Sequence, residues 1–235
     1  MKTENIADSS SSEVAPYTVS VKGARLGQLF FSTMNHWLYD SLLYKYITGT
    51  IWRCSQDNLL DNYVENISGD HLEVGVGSGY LLSRTLCAEG LKRLVLLDLN
   101  RRCLAKSESR LSELSPWAVR HNVLEPLPKE LCGFGSIGMN YVLHCIPGSF
   151  RNNRKIFSHL HAALRDGGVL FGATLIPGPL RQGVAASLFM SLLRVLGIFH
   201  NSNHTQWGLK SSLEATFKQV NVTRIGSALI FVAVK

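Results

Sequence analysis

The nine residues from Leu72 to Tyr80 read LEVGVGSGY, and they are the strongest indication of the fold in this sequence. A short apolar run ends there in three glycines that alternate with other residues, at Gly75, Gly77 and Gly79. Because glycine has no Cβ atom, it lets a backbone turn tightly and come close to a ligand. A strand that ends in such a turn and opens a helix predicts a ligand cradle at the carboxyl edge of a parallel sheet.

Two acids beside this turn restrict the ligand. The dinucleotide fingerprint is GxGxxG, whereas the glycines here follow GxGxG, so the third one comes a residue early. Glu73 stands just before the first glycine, where a carboxylate attracts an ammonium group, directly or through water, and disfavours a phosphate. Asp98 ends the next apolar run, where an acid accepts hydrogen bonds from ribose hydroxyls. These groups predict S-adenosylmethionine, which carries a ribose, an α-ammonium and a sulfonium.

Apolar strands and helical segments alternate along the chain. Strands are predicted at 70–74, 91–97, 117–120, 135–142, 169–174, 219–225 and 228–234, and helices at 56–64, 80–88, 102–111, 153–164, 183–199 and 209–217. This alternation is typical of a mostly parallel sheet with helices on both faces. The short joint Gly226-Ser227 predicts that the last two strands form an antiparallel hairpin.

With these motifs, residues 66–235 resemble the class I S-adenosylmethionine-dependent methyltransferases. The resemblance rests on EVGVGSG with LVLLDLN, and on MNYVLHCIPG followed by LRDGGVLFGAT. The stretches HLEVGVGSGY and LHCIPG are similar to the corresponding motifs of small methyltransferases of fungal and bacterial secondary metabolism. The resemblance implies an α/β, Rossmann-like three-layer sandwich. Its seven-stranded, mostly parallel sheet would have the order 3-2-1-4-5-7-6, with strand 7 antiparallel and an N-terminal helical lid.

The resemblance also implies a cofactor site. The glycine turn and Glu73 would line the methionine end of the cofactor together with Asn140, and Asp98 would hold the ribose. Leu99 would pack on the adenine, and Asn122-Val123 would meet its edge, although an aspartate is common in the family where Asn122 stands. The predicted cofactor-binding residues are Glu73, Gly75, Gly77, Gly79, Tyr80, Asp98, Leu99, Asn100, Asn122, Val123 and Asn140. The expected product of the cofactor is S-adenosylhomocysteine.

Methyl transfer requires an aligned nucleophile and exclusion of water, and it requires a base only when the acceptor is protonated. His144 follows the fourth strand and is the candidate base, because an imidazole accepts a proton near neutrality. Packing or shaping the substrate site is the alternative role for this histidine. The predicted substrate residues are Tyr39, Tyr46, Trp52, His144, Phe189 and His200. Core packing is the alternative for the first three, and an ordinary loop role is the alternative for His200.

The chain divides into three predicted segments. Residues 1–18 are a polar, Ser-rich lead that is expected to be disordered, and residues 19–65 form a helical cap or lid. Residues 66–235 form the cofactor-binding domain, with a substrate-covering insertion at about 176–208. The apolar helix in this insertion carries Arg194 and is too short and interrupted to predict a membrane span, although weak contact with a membrane surface stays open. Its apolar side chains predict a hydrophobic acceptor pocket.

The five cysteines include no CxxC motif, which fits reduced thiols in the cytoplasm and gives no zinc spacing, so no metal is predicted. The net charge of +7 is scattered, which disfavours a nucleic-acid partner. No NPPY-like motif follows the fourth strand, which argues against methylation of the exocyclic amines of nucleic-acid bases.

The sequence therefore predicts a monomeric or homodimeric enzyme. It would transfer a methyl group by SN2 to an oxygen, less favourably to a nitrogen or carbon, of a small and largely apolar metabolite. Two other classes stay open: a cofactor-binding protein of this fold that acts as a cyclase, pericyclase or partner subunit, and an RNA or protein methyltransferase.

Overall fold

The computed structural model describes residues 41–86, 89–177, 184–196 and 198–235. Its seven strands are β1 (Asp70–Val74), β2 (Arg93–Asp98), β3 (Trp117–Arg120), β4 (Phe134–Asn140), β5 (Leu164–Leu175), β6 (Gln219–Ile225) and β7 (Ala228–Val234). They form one sheet of order β3-β2-β1-β4-β5-β7-β6. The first five strands pair in parallel, whereas β7 runs antiparallel to both of its neighbours. The predicted fold class and strand order are confirmed.

Helices cover the sheet. The described part of the chain begins with a π-helix at Ser41–Ile51. The α-helices are α1 (Gln56–Asn66), α2 (Tyr80–Thr85), α3 (Arg101–Arg110), α4 (Arg154–Ala163), α5 (Val184–Val195) and α6 (Gln206–Glu214). None of the helices in the described ranges is long and apolar enough to cross a membrane.

The two faces of β1 separate two layers of core. Leu72 and Val74 belong to a buried apolar cluster with residues of α4 and α6. His71 and Glu73 alternate with them and face α1 on the other side of the sheet, where both contact Tyr63. Because both faces of the central strands are covered, these strands are mostly apolar along their length.

The boundaries of β5 differ from the prediction. The glycine pair Gly167-Gly168 predicts a stop after a helix, and α4 does end at Ala163. The strand, however, begins at Leu164 and includes the glycines, with Gly167 at φ 70°. Its pairing with β4 shifts register near this end, so the glycines form an irregular start of the strand.

The predicted N-terminal lead and much of the predicted cap fall on residues 1–40, outside the described residues. The described part of the cap consists of the π-helix and α1. The Asn62 amide on α1 donates to the Gly172 carbonyl of β5 at 3.4 Å, so α1 is attached directly to the sheet. The boundaries of the three segments stay predictions.

Gly172 provides a test of the strand packing, because a Cβ atom there would overlap the backbone carbonyl of Met139 on β4. Gly172→Ala should lower the free energy of unfolding by about 3 kcal/mol, as expected for overpacking in a core. The matched control is Gly49→Ala on the π-helix, where an added Cβ would meet nothing within 4 Å. In urea unfolding the control should not be destabilised and should gain up to about 1 kcal/mol, because alanine favours a helix more than glycine does. Equal stability of the two variants would contradict this packing.

Candidate active site

The glycine turn joins β1 to α2 in a backbone conformation that favours glycine. Gly75, Gly77 and Gly79 have φ angles of 70°, 56° and 71°. Residues with a Cβ atom rarely adopt such angles. An added Cβ at Gly75 would overlap the side chain of Val142, whereas one at Gly77 would meet nothing within 4 Å. The turn is therefore packed against the segment after β4 at its start and open at Gly77.

Asp98 lies at the carboxyl end of β2, directly beside this turn. Its Oδ2 atom accepts from the Gly77 N–H at 3.3 Å, and its Oδ1 atom accepts from the Asn100 N–H at 2.8 Å. Burial raises the pKa of Asp98, and the backbone donors partly offset this shift. Each carboxylate oxygen keeps a second lone pair, so the group can accept further hydrogen bonds from a ligand. Leu99 follows it and is 47% exposed at the edge of the cleft.

Glu73 and Asn140 form the other end of the candidate site. Glu73 is buried and accepts hydrogen bonds from Tyr63 and His71. Asn140 ends β4 close to Tyr63, whose pKa is raised by burial and by Glu73. Both polar atoms of the Asn140 side chain are buried without a hydrogen-bond partner in the described part of the chain.

An unpaired buried amide is destabilising by about 1–3 kcal/mol, so a ligand that both donates and accepts there would be favoured. The amino-acid end of S-adenosylmethionine offers an ammonium donor and a carboxylate acceptor. The Asn140 amide can accept from the ammonium and donate to the carboxylate, so it fits the amino-acid end of the cofactor.

Aromatic side chains from the cap line the same region. Tyr44 of the π-helix stacks on Tyr80, the first residue of α2, with 4.9 Å between ring centroids. Trp52 is buried and packs edge-on against Tyr141 at 5.2 Å. Tyr141 follows Asn140 and has a φ of 57°, a strained value for a bulky residue. The cap thus contacts both the glycine turn and the end of β4.

His144 lies on the short 3-10 turn Leu143–Cys145 and is 2% exposed. Its Nδ1 atom accepts from the Leu175 N–H at 3.3 Å and lies 3.4 Å from the Thr174 hydroxyl. Burial, together with the nearby His204, lowers the pKa of His144 to about 3. Since a backbone donor occupies Nδ1, the proton of the neutral ring belongs on Nε2. This arrangement favours a packing role for His144. Its role as a general base stays a prediction.

The other predicted cofactor residues have local roles at the edge of the cleft. The Asn100 side chain caps α3 by accepting from the Arg102 N–H at 2.9 Å. The Asn122 side chain accepts from the Leu124 N–H at 3.1 Å, and Val123 is buried in the core. The preceding residue, His121, donates its N–H to the Asp98 carbonyl at 3.3 Å, which places the Asn122 loop beside Asp98. Contact of these residues with an adenine stays a prediction.

The predicted substrate residues are only partly brought together. Trp52 and His144 both contact the ring of Phe199, and the His200 N–H donates to the His144 carbonyl at 2.8 Å. Tyr46 is 65% exposed on the π-helix and stands apart from them. Tyr39 lies outside the described residues. Phe189 lies on α5, but its side chain also falls outside the description.

A cavity of about 480 Å³ lies beside the end of α5. Its lining residues are Gly148, Ser149, Asn152, Arg194, Phe199, His200, Ser202 and Asn203. This lining is more polar than the acceptor pocket that the apolar helix predicted. Leu188 of that helix is 66% exposed, whereas Leu193 is buried. In the described ranges, no group of three or more His, Cys, Asp or Glu side chains could hold a metal ion.

Sequence reasoning missed Tyr63, His71 and Ser136, which surround Glu73. A signal for His71 was available, because two polar residues at alternate positions of an apolar strand share one face. No such signal exists for Tyr63, since its contact depends on how α1 packs on the sheet.

Known proteins with similar sequences identify the family of this chain. A family model described as a methyltransferase domain matches residues 72–170. The chain is also 34% identical over 189 residues to demethylluteothin O-methyltransferase of Streptomyces thioluteus, covering 80% of this chain and 82% of that protein. The chain belongs to the methyltransferase family. The resemblance to class I methyltransferases is therefore confirmed.

This methyltransferase has further relatives among fungal enzymes. It is 33% identical over 204 residues to the physcion biosynthesis cluster O-methyltransferase of Aspergillus chevalieri, covering 84% of this chain and 90% of that protein. Among solved structures, N-methyltransferase NodS from Bradyrhizobium japonicum WM9, in complex with S-adenosylhomocysteine, has the same fold. The TM-score is 0.63 at 14% identity, covering 91% of this chain and 98% of that one.

The buried state of His144 predicts a pH-dependent stability. Its pKa is 6.5 as an ordinary histidine and about 3 in the fold, so the unfolded chain binds more protons between these pH values. The free energy of unfolding should therefore fall as the pH falls from 6.5 toward 3, by up to about 1.4 kcal/mol per pH unit from this group. His144→Gln removes that contribution. In urea unfolding at pH 7, 5.5 and 4, the wild type should lose more stability than the variant as the pH falls. The difference between their free energies of unfolding should therefore shrink. A constant difference would contradict a neutral, buried His144.

Proposed function

We propose that this methyltransferase uses S-adenosylmethionine to methylate an oxygen atom of a small, largely apolar metabolite. The observation that carries the proposal is the buried amide of Asn140 beside Glu73 at the carboxyl edge of the sheet, which has no hydrogen-bond partner among the described residues. Asp98 and the open backbone at Gly77 stand at the same edge. The site thus offers groups for both polar ends of the cofactor, the amino acid and the ribose.

The protein side of the reaction is mainly positioning. A bound S-adenosylmethionine supplies a methyl group on a sulfonium, which is open to SN2 attack by a nucleophile. Asp98 would accept hydrogen bonds from the ribose hydroxyls through its remaining lone pairs. Glu73 and Asn140 would receive the amino-acid end. The Tyr44–Tyr80 stack would help to exclude water from the cleft.

His144 supports the site in this proposal without taking a proton. By accepting from the Leu175 N–H, it ties the turn after β4 to the end of β5. A protein base is unnecessary when the acceptor oxygen is ionised near neutral pH. The low pKa of His144 therefore suits an acidic phenol or enol as the acceptor.

Two relatives support oxygen as the acceptor atom, because both are named O-methyltransferases and one is named for a biosynthesis cluster. NodS, an N-methyltransferase, shares only the fold. We further propose a cytoplasmic enzyme, in keeping with the free thiols of the four cysteines Cys54, Cys103, Cys132 and Cys145 in the described residues.

The cofactor is tested by calorimetric titration with S-adenosylhomocysteine. Asp98→Ala should weaken binding by about 10- to 100-fold, because hydrogen bonds to a charged group contribute about 1.5–3 kcal/mol. The control is Asp166→Ala, an exposed acid before the glycine pair of β5, which should bind like the wild type. A wild-type protein that does not bind S-adenosylhomocysteine would overturn the proposed cofactor.

The acceptor class is tested by transfer of a labelled methyl group from S-adenosylmethionine. We expect transfer to members of a panel of acidic phenols and enols, and none to total RNA. His144→Gln should lower kcat by less than about 10-fold, because loss of a general base costs about 10² to 10⁴ in rate. A loss of that larger size, with a changed pH profile, would assign the base role to His144. Binding without transfer to any acceptor would favour a cyclase or a partner subunit.

A further inference from the structure

Three buried polar side chains contact Glu73 or continue the hydrogen-bonded cluster from it beneath the cleft. His71 and Ser136 are 0% exposed, Tyr63 is 1% exposed and Glu73 itself is 3% exposed. They come from α1, β1 and β4, so three elements meet at this cluster. Burial of such groups is unfavourable unless each is hydrogen-bonded, and buried polar networks are specific in their geometry for that reason.

The cluster forms a continuous hydrogen-bonded chain. The Ser68 N–H donates to Ser136 Oγ at 2.8 Å, and Ser136 Oγ lies 2.8 Å from His71 Nδ1. His71 Nε2 lies 3.1 Å from Glu73 Oε2, and the Tyr63 hydroxyl donates to Glu73 Oε1 at 2.7 Å.

The direction of this chain follows from its members. Because Ser136 Oγ accepts from a backbone N–H, its own proton can go to Nδ1 of His71. A neutral His71 then carries its proton on Nε2 and donates it to Glu73. Tyr63 donates to the same carboxylate from the opposite side, so every donor in the chain points toward Glu73.

Glu73 is held in place by these donors and by the sheet beneath it. A Cβ atom at Gly138 on β4 would overlap Glu73 Oε2, so the carboxylate lies directly over that glycine. With a donor on each oxygen, the carboxylate acts purely as an acceptor, and any ligand group that reaches it must be a donor. Its orientation is therefore set by Tyr63 and His71.

We infer that Tyr63 and His71 are positioning residues that orient Glu73 toward the α-ammonium group of S-adenosyl ligands. They determine affinity for the amino-acid end of the ligand, whereas Asp98 determines affinity for the adenosine end. Tyr63 also lies beside Asn140, and it connects α1 to the cofactor cleft. This inference rests on the proposed function.

Two ligands separate this role from a structural one. S-adenosylhomocysteine has the amino-acid group, whereas 5′-deoxy-5′-methylthioadenosine has the same adenosine and sulfur without it. Tyr63→Phe should raise the Kd of S-adenosylhomocysteine about 10-fold, since it removes one hydrogen bond to a charged group. The Kd of methylthioadenosine should change by less than about twofold. His71→Leu should show the same selective loss, and Tyr63→Phe decides the matter if His71→Leu does not fold.

Phe217→Leu is the control for lost stability, because Phe217 is buried in the core layer on the other face of the sheet. It should lower the Tm and leave the ratio of the two Kd values unchanged. Equal weakening of both ligands in Tyr63→Phe, or unchanged affinity for S-adenosylhomocysteine, would overturn the inference. A wild-type protein that binds neither ligand would instead overturn the proposed function.

Discussion

The left-handed backbone at Gly75, Gly77 and Gly79 is the constraint on which the cleft depends. It turns the chain from β1 into α2 while it packs against Val142 after β4. The same turn brings a backbone N–H to Asp98 at the end of β2. Because parallel strands end at one edge of the sheet, this single turn places groups from three strands around a common opening. A side chain at these positions would disturb both the turn and the opening.

The hydrogen-bonded cluster around Glu73, beneath the turn, imposes a second constraint. Glu73 is a buried acid, and its burial is tolerated because Tyr63 and His71 donate to it. Since Tyr63 belongs to α1, satisfying the carboxylate also fixes α1 against the sheet. In the proposed site, stability and cofactor recognition would depend on the same hydrogen bonds.

The surroundings of His144 show how folding changes the chemistry of a residue. In the sequence this histidine follows the fourth strand, where an imidazole suggests a base. In the fold it is enclosed by Phe199 and Tyr141, and its Nδ1 atom accepts from the backbone of β5. Burial stabilises the neutral ring. In the structure this ring ties the turn after β4 to the end of β5.

The sequence by itself determined the alternation of strands with helices, the glycine turn and the position of Asp98, and the resemblance to class I methyltransferases supplied the strand order. Glycine spacing and the alternation of apolar strands with helices are local patterns that can be read without any long-range contact. The tertiary structure decided the partners of Glu73, the burial of the Asn140 amide and the enclosure of His144. Those properties depend on burial and on donors that are distant in the chain, such as Tyr63 on α1 and Leu175 on β5. Neither burial nor such pairing follows from a local sequence pattern, so these properties can be read only from the packed structure.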